Sequence, residues 1–173
     1  MVICLIGRMG AGKTTLAKFL CQNKGFVQVG SDMLREYIST KNPGWEEMAD
    51  IMSKGENISD ELFEAALAHK FKTIAAGANI LWDGVHTAKR VRIFERFAPI
   101  DQAFYLDAPP EITVKRIEGR ERFDSTPAVM EYRNKSFDEN LPEILDELAG
   151  LVTHVDATHG IDDIKLLVLN QLI

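Results

Sequence analysis

The chain has 173 residues, 46% of them hydrophobic and 27% charged, enough for one compact domain with a buried core and unlike the composition of a disordered chain. Its 20 Lys and Arg against 26 Asp and Glu give a net charge of −6, which excludes the basic face of a general nucleic-acid binder. Any phosphate site must therefore be a local cluster of cations in an acidic protein. No apolar run reaches the ~18–20 residues of a membrane span. Met1 leads directly into an apolar run and a glycine loop, leaving no room for a basic leader and a cleavage site. The expectation is a cytoplasmic monomer without membrane or nucleic-acid partners. Cys4 and Cys21 stand in apolar periodic segments without metal-ligand spacing and read as reduced core residues.

Val2–Ile6 is the first strand-length apolar run. Directly after it, Gly7-Arg8-Met9-Gly10-Ala11-Gly12-Lys13-Thr14 fulfils the pattern G-x-x-x-x-G-K-[ST] and opens a helix over Lys13–Leu20. A triphosphate needs several backbone N–H groups at close range, which side chains would obstruct. The helix N-terminus adds unpaired N–H groups and partial positive charge. Gly7, Gly10, Ala11, Gly12, Lys13, Thr14 and Thr15 are accordingly the expected ATP contacts. Lys13 would reach the β- and γ-phosphates, and a hydroxyl of Thr14 or Thr15 would ligate Mg²⁺.

A second strand, Phe26–Val29, leads to Asp32 and Arg35 at the start of a helix. This end of a parallel sheet is where such folds bind ligands, so both residues are candidate acceptor contacts. About fifty residues separate this strand from the next, too many for one crossover helix. Asn42-Pro43-Gly44 and Lys54-Gly55-Glu56-Asn57 punctuate the stretch, and 31–60 reads as an inserted helical flap at one end of the sheet. Ser59 is an N-cap candidate for a helix over Glu61–Ala76, with Asp60 and Glu61 placed well against its dipole. The third strand, Ile80–Asp83, ends in a carboxylate that would orient Mg²⁺ directly or through water. Gly84 follows where hydrolysing ATPases need a second carboxylate, which favours transfer to a bound acceptor.

Ala103–Asp107 is the fourth strand. Pro110 and Thr126-Pro127 mark two helix starts, Pro142 should kink or divide the helical segment after Ala128, and Val152–Asp156 is the fifth strand. Between these elements lie Arg116, Arg120, Arg122 and Arg133. Phosphoryl transfer depends on alignment and charge neutralisation more than on covalent chemistry, so these arginines and Lys13 are the catalytic candidates. The rhythm of strands and helices predicts an α/β fold of the P-loop NTPase type, a five-stranded parallel sheet flanked by helices, as one domain over 1–173. His69, His86, His154 and His159 lack a partnered carboxylate or serine pattern, and none is assigned as a base.

These residues together resemble the adenylate kinases and related nucleoside monophosphate kinases, as a short-lid, divergent member. The likeness lies in the extra central Gly10, in Ser31-Asp32-Met33-Leu34-Arg35, in Leu81-Trp82-Asp83-Gly84-Val85, in Arg116-Ile117-Glu118-Gly119-Arg120 and in Val155-Asp156-Ala157-Thr158-His159. The resemblance implies that 31–60 is a helical acceptor-binding insert, and that Arg35 holds the acceptor monophosphate beside Asp32 and Gly84. It also implies that Arg116 binds ATP at the start of the lid, and that His159 lies in the loop beside the ATP adenine. Only Glu121 separates Arg120 from Arg122, so the implied lid is minimal, over 120–127. His86-Thr87 stands where the family has Pro-Arg, an arginine that grips the acceptor phosphate; Lys89, Arg90 or Arg92 must substitute, or the acceptor differs. The sequence therefore predicts a Mg-ATP-dependent nucleoside monophosphate kinase. Two alternatives are a P-loop kinase of another small metabolite, of the shikimate, gluconate or dephospho-coenzyme A type, and a nucleotide-dependent regulatory module.

Overall fold

The computed structural model describes residues 1–41, 58–117 and 127–172. In chain order these form β1 (Val2–Ile6), α1 (Lys13–Lys24), β2 (Val27–Val29), α2 (Ser31–Lys41), α3 (Asp60–Phe71), β3 (Ile80–Asp83), α4 (Ala88–Glu95), β4 (Gln102–Asp107), α5 (Pro110–Ile117), α6 (Pro127–Glu147), β5 (Val152–Asp156) and α7 (Ile161–Gln171). The five strands make one sheet in the order β2-β3-β1-β4-β5, and every pairing is parallel. This is the α/β P-loop architecture that the sequence predicts.

Every residue of β1 is buried, as a central strand covered on both faces requires. Alternate side chains divide between two cores. Ile3 and Leu5 join Leu81, Phe104 and Leu106 under α1 and α7, packing on Leu16, Leu20, Ile164 and Val168. Cys4 and Ile6 face the other way with Trp82 and Tyr105, against Met33, Phe63, Phe94, Phe137 and Ile144. Trp82 stacks flat on Phe94, centroids 4.4 Å apart.

The local signals account for most element boundaries. The Ser59 hydroxyl caps α3 by accepting the Leu62 N–H, and Thr87 does the same for α4 through Arg90 N–H. Two helix lengths differ from expectation. The first helix runs one turn beyond Leu20, to Lys24, and stops at Gly25 with φ 70°, a left-handed helix end. The third stops at Phe71, five residues before Ala76. Pro142 does not divide the long helix, which continues through it from Pro127 to Glu147. Of the expected insert, α2 and the start of α3 are described, and 42–57 lie outside the described residues. Among the described residues no helix is long and apolar enough to cross a membrane.

Trp82 and Phe94 are both buried with no more than 1% exposure, so the site's supporting face depends on their stack. Trp82→Ala is expected to cost about 3–5 kcal/mol of unfolding free energy, measured by urea denaturation.

Candidate nucleotide site

The turn from β1 to α1 lies at the carboxyl edge of the sheet, beside the point where strand order switches sides of β1. Its glycines are a packing necessity. A Cβ on Gly7 would sit 2.7 Å from the Leu106 carbonyl oxygen, and one on Gly10 would sit 2.4 Å from that of Thr113. Within the loop, Ala11 N–H donates to Arg8 O at 3.1 Å. The Lys13 ammonium folds over the same loop, donating to Gly7 O at 2.6 Å and Arg8 O at 2.9 Å. Burial lowers its pKa, and the nearby Asp83 carboxylate opposes that shift.

Asp83, at the end of β3, is raised above the ordinary carboxylate range by burial, with Lys13 and a hydrogen bond from the Thr14 side chain acting in the opposite sense. Asp32 on α2 adds to the upward shift, so the acceptor-side helix lies within electrostatic range of Asp83. Thr14 and Asp83 thus pair a hydroxyl and a carboxylate, hard oxygen donors of the kind Mg²⁺ takes. Among the described residues, no group of three or more His, Cys, Asp or Glu could hold a metal. Mg²⁺ suits that arrangement, because it usually takes one or two protein oxygens and completes its shell with substrate phosphates and water. Thr15 lies half-buried in the first turn of α1.

On the β2 side, Arg35 Nη1 pairs with Asp32 Oδ1 at 2.8 Å in the first turns of α2. Gly84 leaves β3 with φ 123°, a conformation that favours glycine, and leads into His86. Sequence reasoning gave His86 no role. The structure sets it where the charges of Arg90, Lys13 and Arg133 converge; burial first, then these cations, push its imidazole down to about 3. The residue is nonetheless exposed to water, so the three cations are the part of this effect that geometry secures.

The proposed substitutes for an acceptor-phosphate arginine are all held elsewhere. Arg90 is only 3% exposed. It donates to Ile58 O at 2.6 Å and to Asp60 Oδ1 at 3.4 Å, and its guanidinium carbon lies 4.9 Å from the Phe63 ring centre. That is a buried anchor between α4 and the start of α3, which corrects the expectation of an acceptor contact. Lys89 pairs with Asp60 Oδ2 at 2.7 Å, and Arg92 pairs with Glu147.

Arg116 clasps the turn after β5. Its Nη1 donates to Ala157 O at 2.6 Å, and its Nη2 donates to His159 O at 2.6 Å and Thr158 O at 3.3 Å. Asp156 stiffens the same turn by accepting from Thr158 N–H and its hydroxyl, while His159 Nε2 lies 3.3 Å from Asp156 Oδ2. Outside the strand ends, in the crevice where such folds bind ligands, Lys13, Thr14 and Asp32 thus act on Asp83, and Arg90, Lys13 and Arg133 act on His86; Arg116 and His159 stand together on the β5 side. Arg120 and Arg122 lie outside the described residues, as does most of the expected lid.

A family model described as an AAA domain matches residues 2–139. The chain belongs to this P-loop family. Its relatives are adenylate kinases at low identity. One from Prochlorococcus marinus (strain MIT 9211) is 28% identical across 98% of this chain and 96% of its own length. Those of Malacoplasma penetrans (strain HF-2) and Mesoplasma florum are 32% and 33% identical over 69% of this chain, spanning 56% and 59% of their own lengths.

The Arg90 anchor has a pH signature. Asp60 is held below the usual carboxylate range, chiefly by the hydrogen bond from Lys89, with burial opposing and Arg90 assisting. A depressed folded pKa gives stability that is present above the unfolded value of about 4 and lost as pH falls through the folded value. Asp60→Asn should therefore flatten the acid limb of the stability curve in that window. Arg90→Ala should cost about 2–4 kcal/mol, because it strands the Ile58 carbonyl and one side of Asp60. Denaturation curves collected across acidic pH check both.

Proposed function

We propose that the chain is an ATP-dependent phosphotransferase that moves the γ-phosphate of Mg-ATP to a nucleoside monophosphate, in the manner of an adenylate kinase. The observation that carries this reading is the junction of Lys13, Thr14 and Asp83 at one sheet edge, with Asp32 close enough to act on Asp83. On this reading the donor and acceptor would meet at that strand end. The full-length match to adenylate kinases agrees with it.

On this reading the amides of the glycine loop and the start of α1 would receive the triphosphate, and Lys13 would neutralise its β- and γ-phosphates. Thr14 and Asp83 would hold Mg²⁺, and the ion would supply charge neutralisation to the phosphates. Arg116, by fixing the Ala157–His159 turn, would set the wall against which the adenine rests. Arg35 would hold the phosphate of the acceptor, with Asp32 orienting its guanidinium. Arg133, with Arg120 and Arg122, would neutralise the moving phosphoryl group. A cytoplasmic monomer using soluble nucleotides fits the composition.

One observation favours a second reading, a kinase of another small metabolite. Arg90 is buried and Lys89 and Arg92 are ion-paired to Asp60 and Glu147, so a second grip on an acceptor phosphate would have to displace one of these contacts. A panel of AMP, CMP, UMP, GMP, their deoxy forms and the matching nucleosides in an ADP-release assay decides between the two. Acceptor-stimulated turnover with monophosphates, AMP first among them, is the expected result. In Arg35→Ala the acceptor KM should rise strongly while ATP affinity changes little; equal use of nucleosides and nucleotides would overturn the placement.

The donor side has its own checks. Lys13→Ala should fold normally and lose about 10²–10³ in rate, and near-normal turnover would sink the assignment. Asp83→Asn should show a defect that shrinks as Mg²⁺ is raised, whereas a metal-independent loss would assign Asp83 a structural role.

A further inference from the structure

The two residues of the phosphate loop that follow Gly7 are tied to a helix more than a hundred residues away. Met9 N–H donates to Asn134 Oδ1 at 2.9 Å. Arg8 Nε stands 2.8 Å from Asp138 Oδ1, and its Nη1 donates to Ala108 O at 3.0 Å. The Arg8 Nε is buried, and its contact with Asp138 is a close charge pairing rather than an aligned hydrogen bond. Asn134 and Asp138 are four residues apart on α6 and share one face of it. The residue immediately before Asn134 is Arg133, whose charge reaches His86 in the crevice.

The loop and the arginine therefore share a mount. The Met9 amide is committed sideways to α6, and the Ala11 amide closes the loop on Arg8 O. Arg8 at the same time fastens the loop to the turn after β4 through Ala108. Helix α6 has further anchors beside these contacts, because Met130, Phe137 and Ile144 are buried on the adjoining face. What the contacts add is rotational and axial register between α6 and the loop.

We propose that Asn134 and Asp138 are positioning residues that clasp Met9 and Arg8 and thereby set where Arg133 stands relative to the phosphate loop. The proposal rests on the phosphotransferase reading for its kinetic consequence, and on the clasp itself for its structural one. A displacement of about 1 Å at a reacting centre costs on the order of 10²-fold in rate, so a loosened mount acts on turnover before it acts on binding.

The test uses Asn134→Ala and Asp138→Ala in the full chain, alone and combined with Arg133→Ala. Each single variant is expected to keep its melting temperature and to change Mg-ATP affinity less than about 3-fold, while kcat falls by about 10-fold or more. In the Arg133→Ala background, Asn134→Ala should remove little further rate, since the group it positions is gone. Full additivity in that background, or a loss of ATP affinity as large as the loss of kcat, would overturn the proposal.

Two readouts need no turnover. Amide exchange at Met9 should quicken in Asn134→Ala. The His86 imidazole, held down first by burial and then by Arg90, Lys13 and Arg133, should begin to protonate at higher pH in Asn134→Ala, and likewise in Arg133→Ala, when its carbon resonances are followed down from neutral pH. Absence of acceptor-stimulated turnover in the wild type, with both signals moving, would sink the phosphotransferase reading and leave the clasp standing. A His86 titration unmoved by Asn134→Ala would sink the clasp.

Discussion

The geometry of the site depends on how closely the β1–α1 turn is packed. At Gly7 the backbone passes so near β4 that a methyl group would meet the Leu106 carbonyl at 2.7 Å, and at Gly10 it passes so near α5 that one would meet Thr113 O at 2.4 Å and Ile117 at 2.8 Å. A loop with side chains at these points could not lie between β4 and α5. Lying there, it is held by the sheet edge and not by its own turn propensity. Lys13 is thereby drawn over the loop carbonyls and Thr14 is brought to Asp83, and the same packing leaves Arg8 and Met9 against α6.

An acidic chain can hold a phosphate-facing crevice because its cations are sorted by partner. Arg90, Arg92 and Arg96 neutralise Asp60, Glu147 and Glu64 and fasten α4 to its neighbours. Arg8 is paired with Asp138, and Arg116 is given over to three backbone carbonyls. Arg90, Lys13 and Arg133 also act together on His86, adding to burial in holding its imidazole toward the neutral form. Net charge, summed over the chain, conceals this separation. Local potential is what an anion meets at the crevice.

Local chemistry was what the sequence disclosed. Short, near-continuous apolar strands, the glycine loop, the Ser59 cap and the strand-end Asp83 are all patterns contained within a few positions. The strand boundaries accordingly fall within one residue of those expected. Helix ends are less legible: Gly25 ends α1 a turn later than the apolar pattern suggests, and Pro142 does not divide α6. A proline costs a helix one hydrogen bond, and packing of Phe137, Ile144 and Leu148 on the sheet outweighs that loss. The fate of Arg90 was illegible for a different reason. Its partners Ile58 and Asp60 lie some thirty residues away, and no spacing rule links a helix arginine to a carbonyl before another helix. The Met9–Asn134 contact spans 125 positions and was hidden in the same way.

Asp83 is the point to which both halves of the crevice are referred. On the donor side it takes the Thr14 hydrogen bond and the field of Lys13. On the other side β2 presses equally close: a Cβ on Gly30 would lie 2.7 Å from the Asp83 carbonyl oxygen, and Gln28 Nε2 lies 3.5 Å from its carboxylate. Helix α2 begins at the next residue, Ser31, so Asp32 and Arg35 take their position from that same contact. For a reaction in which two anionic substrates must be brought into line, one rigid strand end shared by both sides limits their relative error to a single packing contact. A site assembled from separately mounted halves would accumulate the slack of each. That economy of reference is the physical reason to read the crevice as a place of transfer between two bound molecules, and it is consistent with a glycine, Gly84, standing next to Asp83 where a hydrolysing site needs a second carboxylate.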